Sequence, residues 1–146
     1  MTVLVSACLL GVACRYDGAS KGLPDSVLRE LMARHTLVPA CPEQLGGLPT
    51  PRAPSERLGS RVVARTGADV TDAYTRGAQQ TLALAQRFGC TAALLKQRSP
   101  SCGKGEIYDG TFTGTRRRRH RGAFVRARHP CLRGGRRCGA AESVIM

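Results

Sequence analysis

Seven cysteines punctuate this chain of 146 residues, and three of them share a position: each follows an apolar, strand-like run. Cys8 follows Val3-Leu4-Val5-Ser6-Ala7 and Cys41 follows Leu37-Val38-Pro39-Ala40, while Cys102 comes seven residues after Leu95, which closes Ala92-Ala93-Leu94-Leu95. In an open α/β sheet the carboxyl ends of parallel strands converge on one rim, where ligands bind. Three thiolates delivered to such a rim can hold iron–sulfur or zinc and leave a coordination position open, which suits catalysis better than structure. Cys41-Pro42 is itself a sequence feature met at iron–sulfur sites. Glu43 stands two residues past Cys41, which puts a proton-moving carboxylate in the metal's neighbourhood. Gly46, Gly47, Gly103 and Gly105 allow close backbone approach to a planar ligand or to cluster sulfide, and their amides can form an anion-friendly nest.

Each of these residues also has a plainer reading. A buried cysteine is usually a small hydrophobe, and a glutamate in a polar loop is by default solvated. Cys90, at the start of an apolar run, reads as core. Cys14 is open between a fourth ligand, an alternative to Cys8 and neither; a closed site would defeat chemistry at an open metal position. Arg15, Tyr16 and Asp17 either line a pocket or form a turn with a surface salt bridge.

The elements needed to position these groups alternate β and α. Val3 to Val5 is a short strand. Pro24-Asp25-Ser26 opens a helix, with proline suited to the first turn and Asp25 to the positive end of the dipole, and Val27, Leu28, Leu31 and Met32 form its apolar stripe. A second strand runs from Thr36 to Ala40. Residues 42–61 hold four prolines and little periodicity, which predicts a long loop. Val62 to Arg65 and Ala68 to Val70, joined through Thr66-Gly67, read as a small hairpin. A second helix is expected over about Thr71 to Phe88, with Ala73, Gly77, Leu82, Ala85 and Phe88 inward and Gly89 as its terminator. Thr91 to Lys96 is a third strand, followed by a Gly/Ser-rich loop. The expected fold class is a single α/β domain, Rossmann-like, with a small, mostly parallel sheet.

Composition bounds the class. The length suits one domain with a real core, and no run approaches the roughly 20 apolar residues of a membrane span. The N-terminus, MTVLVSACLLGVAC, lacks the basic region of a signal peptide and reads better as strand and loop, so a cytoplasmic protein is expected. An odd number of cysteines in a reducing compartment favours metal or reactive thiols over disulfides. Charge is unevenly spread: residues 1–115 carry 13 Lys and Arg against nine Asp and Glu, a net +4, whereas residues 116–146 carry ten Arg against Glu142, a net +9.

The blocks VSACLLGVACRYDG (5–18), PACPEQLGGLPTPR (39–52) and LKQRSPSCGKGEIYDGTFTG (95–114) give the chain a specific likeness. Over roughly residues 1–115 it resembles the thiouracil desulfurase (TudS)-like family of bacterial proteins. The resemblance implies a small α/β domain with a [4Fe-4S] cluster held by three cysteines, matched here to Cys8, Cys41 and Cys102, with the fourth iron free to take the sulfur of a thiolated uracil. It further implies Glu43 as a catalytic acid/base and Ser99 as a second active-site residue, with Ser101 open as the active serine in its place. Substrate contacts are assigned to Ser101, Gly46, Gly47 and Arg15. A thione sulfur is soft and suits a ferrous site; polarising C=S lets water add to the carbon while a carboxylate moves the proton. The substrate class is a small thiolated pyrimidine, without net redox chemistry. Rival readings are a sulfur-transfer or tRNA-thiolation factor using the same cluster, and a nucleic-acid-binding protein with a structural metal. The body carries neither a GxGxxG nor a Walker A sequence, no membrane is involved, and nucleic acid is expected only through the basic tail. Oligomeric state is left open.

The resemblance stops where TRRRRHRGAFVRARHP replaces the family's Gly-Asp-Gly-Val-Thr-Ala segment, short helix and Gly-Ile-Arg-type strand. An arginine arm for phosphate is one explanation. The preferred one is a frameshift. With suitable codons, Arg116 to Arg121 read one base over gives Gly-Asp-Gly-Val-Thr, and Arg128-His129-Pro130 gives a Gly-Ile-Arg-type triplet at the family's separation. Residues 116–146 are then expected to be a disordered basic tail in which Cys131 and Cys138 have no evolved role, and the product to be unstable or inactive. Genomic reads across codon 115 that hold the present frame would count against the shift.

Overall fold

The computed structural model describes residues 1–103, 106–108, 110–113 and 115–117. Three parallel strands form its centre, β1 (Thr2–Ser6), β2 (Thr36–Ala40) and β5 (Ala92–Leu94), in the order β2-β1-β5. Strand β1 is apolar at consecutive positions because both its faces are covered, the usual state of a parallel strand. Val3 and Val5 pack on one side with Leu9, Leu94 and the half-buried Leu31 of helix α1 (Asp25–Arg34). Leu4 packs on the other with Val38, Ala40, Cys90 and Ala85 of helix α3 (Thr71–Arg87). Pro39, which has no N–H to give a ladder, is tolerated because among the described residues β2 has a sheet partner on one side only. The expected α/β class with a small parallel sheet is what the chain adopts.

Two expectations about packing are corrected. Helical periodicity places Met32 and Phe88 inward, but they are 64% and 55% exposed. The inward positions of α3 are Ala73, Tyr74, Gly77, Thr81 and Ala85, so the stripe runs through Thr81 and stops a turn before Phe88. Gly89 does terminate the helix, at φ +60°, with the Cys90 amide closing back onto the Ala85 carbonyl at 2.8 Å.

The segment from Pro42 to Arg61 is not a bare loop. It holds a one-turn helix α2 (Pro42–Leu45) and strand β3 (Ser55–Leu58), which pairs antiparallel with β4 (Arg61–Ala64). The hairpin therefore turns at Gly59, φ +62°, and the expected pairing of residues 62–65 with 68–70 survives only as a bridge between Val63 and Asp69. A last two-stranded unit pairs β6 (Glu106–Tyr108) with β7 (Thr115–Arg117). The rest of the arginine-rich tail, with the frameshift reading and Cys131 and Cys138, lies outside the described residues. Among the described residues no helix is long and apolar enough to cross a membrane.

Candidate active site and metal centre

Register fixes where the cysteines emerge. Ser6 of β1 lies level with Ala40 of β2, and Val5 lies level with Leu94 of β5. All three strands end at one height, and the chain leaves each through a segment that bears a thiol. After β1 it turns into a 3₁₀ turn, Ala7–Leu10, which carries Cys8 and closes on Gly11 in the left-handed conformation. After β2 it passes Cys41 at the cap of α2. After β5 it loops through Ser99, Ser101 and Cys102. All three cysteines line one cavity of about 480 Å³, a size that suits a small ligand.

Cys8 and Cys102 are buried, and burial raises both thiols above their ordinary value, so each holds its proton more tightly than a free thiol. For Cys102 the opposing influence is hydrogen bonding to the thiol from Ser6 and Ser101. Ser6 is itself 2% exposed, and its oxygen accepts the Lys96 amide at 2.9 Å, which ties β1 to the loop that delivers Cys102. Cys14 lines the same cavity. Burial first, then the neighbouring Cys41 and Cys8, push its thiol up to about 12. Its carbonyl takes the Cys41 Sγ at 3.7 Å.

Glu43 anchors the polar half of the site. Arg52 Nε donates to its Oε2 at 2.7 Å with Nη2 at 2.5 Å, and Ser101 Oγ donates to its Oε1 at 3.0 Å. Ser99 Oγ stands 3.0 Å from Ser101 Oγ and accepts the Cys102 amide at 3.2 Å. A single line of hydrogen bonds therefore runs Ser99–Ser101–Glu43–Arg52, with Ser101 as the direct contact of the carboxylate and Ser99 one step removed. Arg52 spends its remaining donors on the carbonyls of Cys14 and Pro49 and on Thr50 Oγ1. Tyr74 lies buried between Glu43 and Ser55, and burial and the Glu43 charge both raise its phenol.

The structure gathers most of the residues expected from sequence. Cys8, Cys41, Cys102, Glu43, Ser99, Ser101 and Arg15 all line the cavity. Arg15 does so while making the expected salt bridge, 2.8 Å to Asp17, so its two readings coexist. Gly46 and Gly47 are the correction: neither lines the cavity. A Cβ on Gly46 would sit 2.0 Å from the Ala73 carbonyl oxygen, and one on Gly77 would sit 1.8 Å from that of Pro42. The two glycines let α2 lie directly on α3, so Gly46 positions Glu43 from behind instead of touching a ligand. Gly47, at φ +89°, ends α2. Cys90 packs in the core, as read. The sequence reading does not single out Ser6, Arg52, Tyr74 or Glu56: Ser6, Tyr74 and Glu56 act across long stretches of chain, and Arg52 reaches Glu43 across a proline-rich segment without periodicity.

The donor set fits a polynuclear iron–sulfur group. Thiols of Cys8, Cys41 and Cys102 around one cavity are the donor type that an iron–sulfur cluster takes. Lys96 and Arg15 bring positive charge toward Cys8, and serine hydroxyls bond to Cys102, as an anionic sulfur-rich group needs.

Known proteins resemble the chain over most of its length. A family model described as 2-thiouracil desulfurase matches residues 3–130. The chain is 43% identical over 122 residues to the uncharacterised protein YbbK of Bacillus subtilis (strain 168), covering 77% of this chain and 80% of that one. A solved structure titled [4Fe-4S]-dependent thiouracil desulfidase TudS superposes with a TM-score of 0.75 at 50% identity, covering 80% of this chain and 78% of the other.

Proposed function

The chain belongs to the 2-thiouracil desulfurase family, and from that premise we propose that it removes sulfur from a thiolated pyrimidine with Cys8, Cys41 and Cys102 holding a [4Fe-4S] cluster. The observation that carries this reading is the convergence of three thiols and the paired carboxylate of Glu43 on one cavity. When bound, such a cluster supplies a soft Lewis acid for a thione sulfur at its iron without a protein ligand.

The remaining work falls to this chain's side chains. Arg52 fixes Glu43 through a hydrogen bond from Nε and an ion pair with Nη2, which places the carboxylate to accept a proton from water as its oxygen adds to the ring carbon. Ser101 donates to the other carboxylate oxygen and Ser99 follows it, so a proton held at Glu43 Oε1 has a two-hydroxyl path along the cavity wall. Cys14 gives its carbonyl to Arg52, a positioning part outside the proposed three-thiolate set. Water's oxygen replaces the sulfur and sulfide leaves, with no change of oxidation state.

Anaerobic turnover of 2-thiouracil tests the reading. Uracil and free sulfide in equal amounts, with no acceptor present, are expected. Sulfide that appears only when an acceptor is added would favour a sulfur-transfer protein instead.

A further inference from the structure

The cavity has a second wall, built from the β3–β4 hairpin and the segment after β6, which the desulfuration chemistry leaves without a task. We infer that Phe112 on this wall is the platform on which the pyrimidine ring stacks, and that Glu56 is the positioning residue that presents it. The inference rests on the desulfurase reading and adds the specificity element for its substrate.

Two non-glycine residues among those described adopt the left-handed backbone, Arg98 at φ 58° and Phe112 at φ 63°, and both line this cavity. Such strain is retained where surrounding contacts over-determine it, most often at ligand sites. The contacts are visible at Phe112. Glu56, only 6% exposed, accepts the amides of Gly110 and Phe112 on the same oxygen, Oε2, each at 2.9 Å. Gly110 lies so close to β3 that a Cβ there would meet the Arg57 carbonyl oxygen at 3.2 Å. A buried carboxylate thus clasps the segment to the hairpin and sets Phe112 in a conformation it would not choose alone.

Three other aromatic side chains line the cavity, and Tyr108 among them is 40% exposed. Tyr74 is packed between Glu43 and Ser55, and Arg15 lies over the ring of Tyr16 at 5.9 Å. Phe112 brings only an apolar ring to a cavity that Arg52, Lys96 and Arg98 also line. A flat heteroaromatic ring offers the face that an aromatic side chain needs, and stacking tolerates whichever substituents the ring carries.

The test uses the full chain with its iron reconstituted, and uracil, which has no sulfur to lose, as the binding probe beside 2-thiouracil kinetics. Phe112→Ala and Phe112→Gly are expected to weaken uracil binding by about tenfold or more and to raise KM to match, with kcat and iron content changed far less. Phe112→Tyr keeps the affinity. Glycine suits the left-handed backbone, so Phe112→Gly holds or raises the thermal midpoint while losing the ligand, a split that a merely structural phenylalanine would not give. Glu56→Ala loses affinity, Glu56→Gln keeps an oxygen for the two amides and restores it, and Glu56→Ala adds little on top of Phe112→Ala. Uracil bound by Phe112→Gly as by wild type overturns the platform, as does a wild type that binds no uracil. If wild type binds uracil through Phe112 yet releases no sulfide from thiouracil, the platform stands and the desulfurase reading falls.

Discussion

Glu43 and Glu56 face the same cavity at nearly equal burial, 9% and 6% exposed, and their partners divide the labour of its two walls. Glu43 is met by side chains, a guanidinium that balances its charge and a hydroxyl that can pass a proton. Glu56 is met by backbone amides, which bind a carboxylate but exchange nothing useful with it. On the proposed reading, one carboxylate serves chemistry and the other shape. The supports behind them differ as well. Glu43 sits on α2, pressed onto α3 at a glycine–glycine crossing, whereas Glu56 sits on a two-stranded hairpin that is not hydrogen-bonded to the central sheet.

That contrast can be broken most forcefully at the chemistry. Glu43→Gln is expected to lower kcat by roughly 10²–10⁴-fold, the usual worth of a general acid–base group, with iron content unchanged; a variant with wild-type kcat would strip Glu43 of its role. Gly46→Ala attacks the same wall from behind, where the added methyl meets backbone 2.0 Å away. It should cost about 3 kcal/mol in urea unfolding, the upper part of the overpacking range, and activity should fall with it. A full-stability Gly46→Ala would mean that the α2–α3 crossing is looser than it looks.

Finer differences follow within the relay. Ser101→Ala removes the direct donor to Glu43 and should slow turnover more than Ser99→Ala, which removes a group one hydrogen bond farther away. The reverse order of kcat would make Ser99 the nearer participant in the reacting complex. The smallest effect belongs to neither glutamate. Asp69 accepts the Thr71 hydroxyl and amide, which hold its carboxyl below the ordinary range. A depressed carboxylate stabilises the fold above its unfolded value, near 4, and that contribution is lost as pH falls through the lower folded value. The stability gap between wild type and Asp69→Asn, read by thermal unfolding, should therefore be widest at neutral pH and close below about pH 4; a gap that grows in acid would contradict the assignment.

The wall that carries the cysteines and Glu43 is far more legible in the sequence than the wall of the hairpin and Phe112. Cys8, Cys41 and Cys102 declared themselves because each follows an apolar strand, and parallel strands bring their ends together whatever lies between them. Glu43 came with Cys41 by adjacency. The hairpin was hidden because β3 reads Ser-Glu-Arg-Leu: its one fully buried side chain is an acid, and its leucine, Leu58, is 50% exposed. The usual alternation is inverted there, so the strand looks like loop. Gly46 was misread for a related reason, since a glycine kept for helix contact and one kept for ligand approach are identical in sequence. Phe88 and Met32 misled because helical periodicity marks a face without saying how far the neighbouring layer extends.

The decisive measurement is a count of iron and acid-labile sulfide after anaerobic reconstitution, on wild type and on the Cys8→Ala, Cys41→Ala, Cys102→Ala triple variant, with circular dichroism to establish that both are folded. About four irons and four sulfides per wild-type chain, absent from the triple variant, are predicted. A folded wild-type chain that takes up no cluster, or a triple variant that still holds one, would contradict the three-thiolate centre on which the proposed chemistry depends.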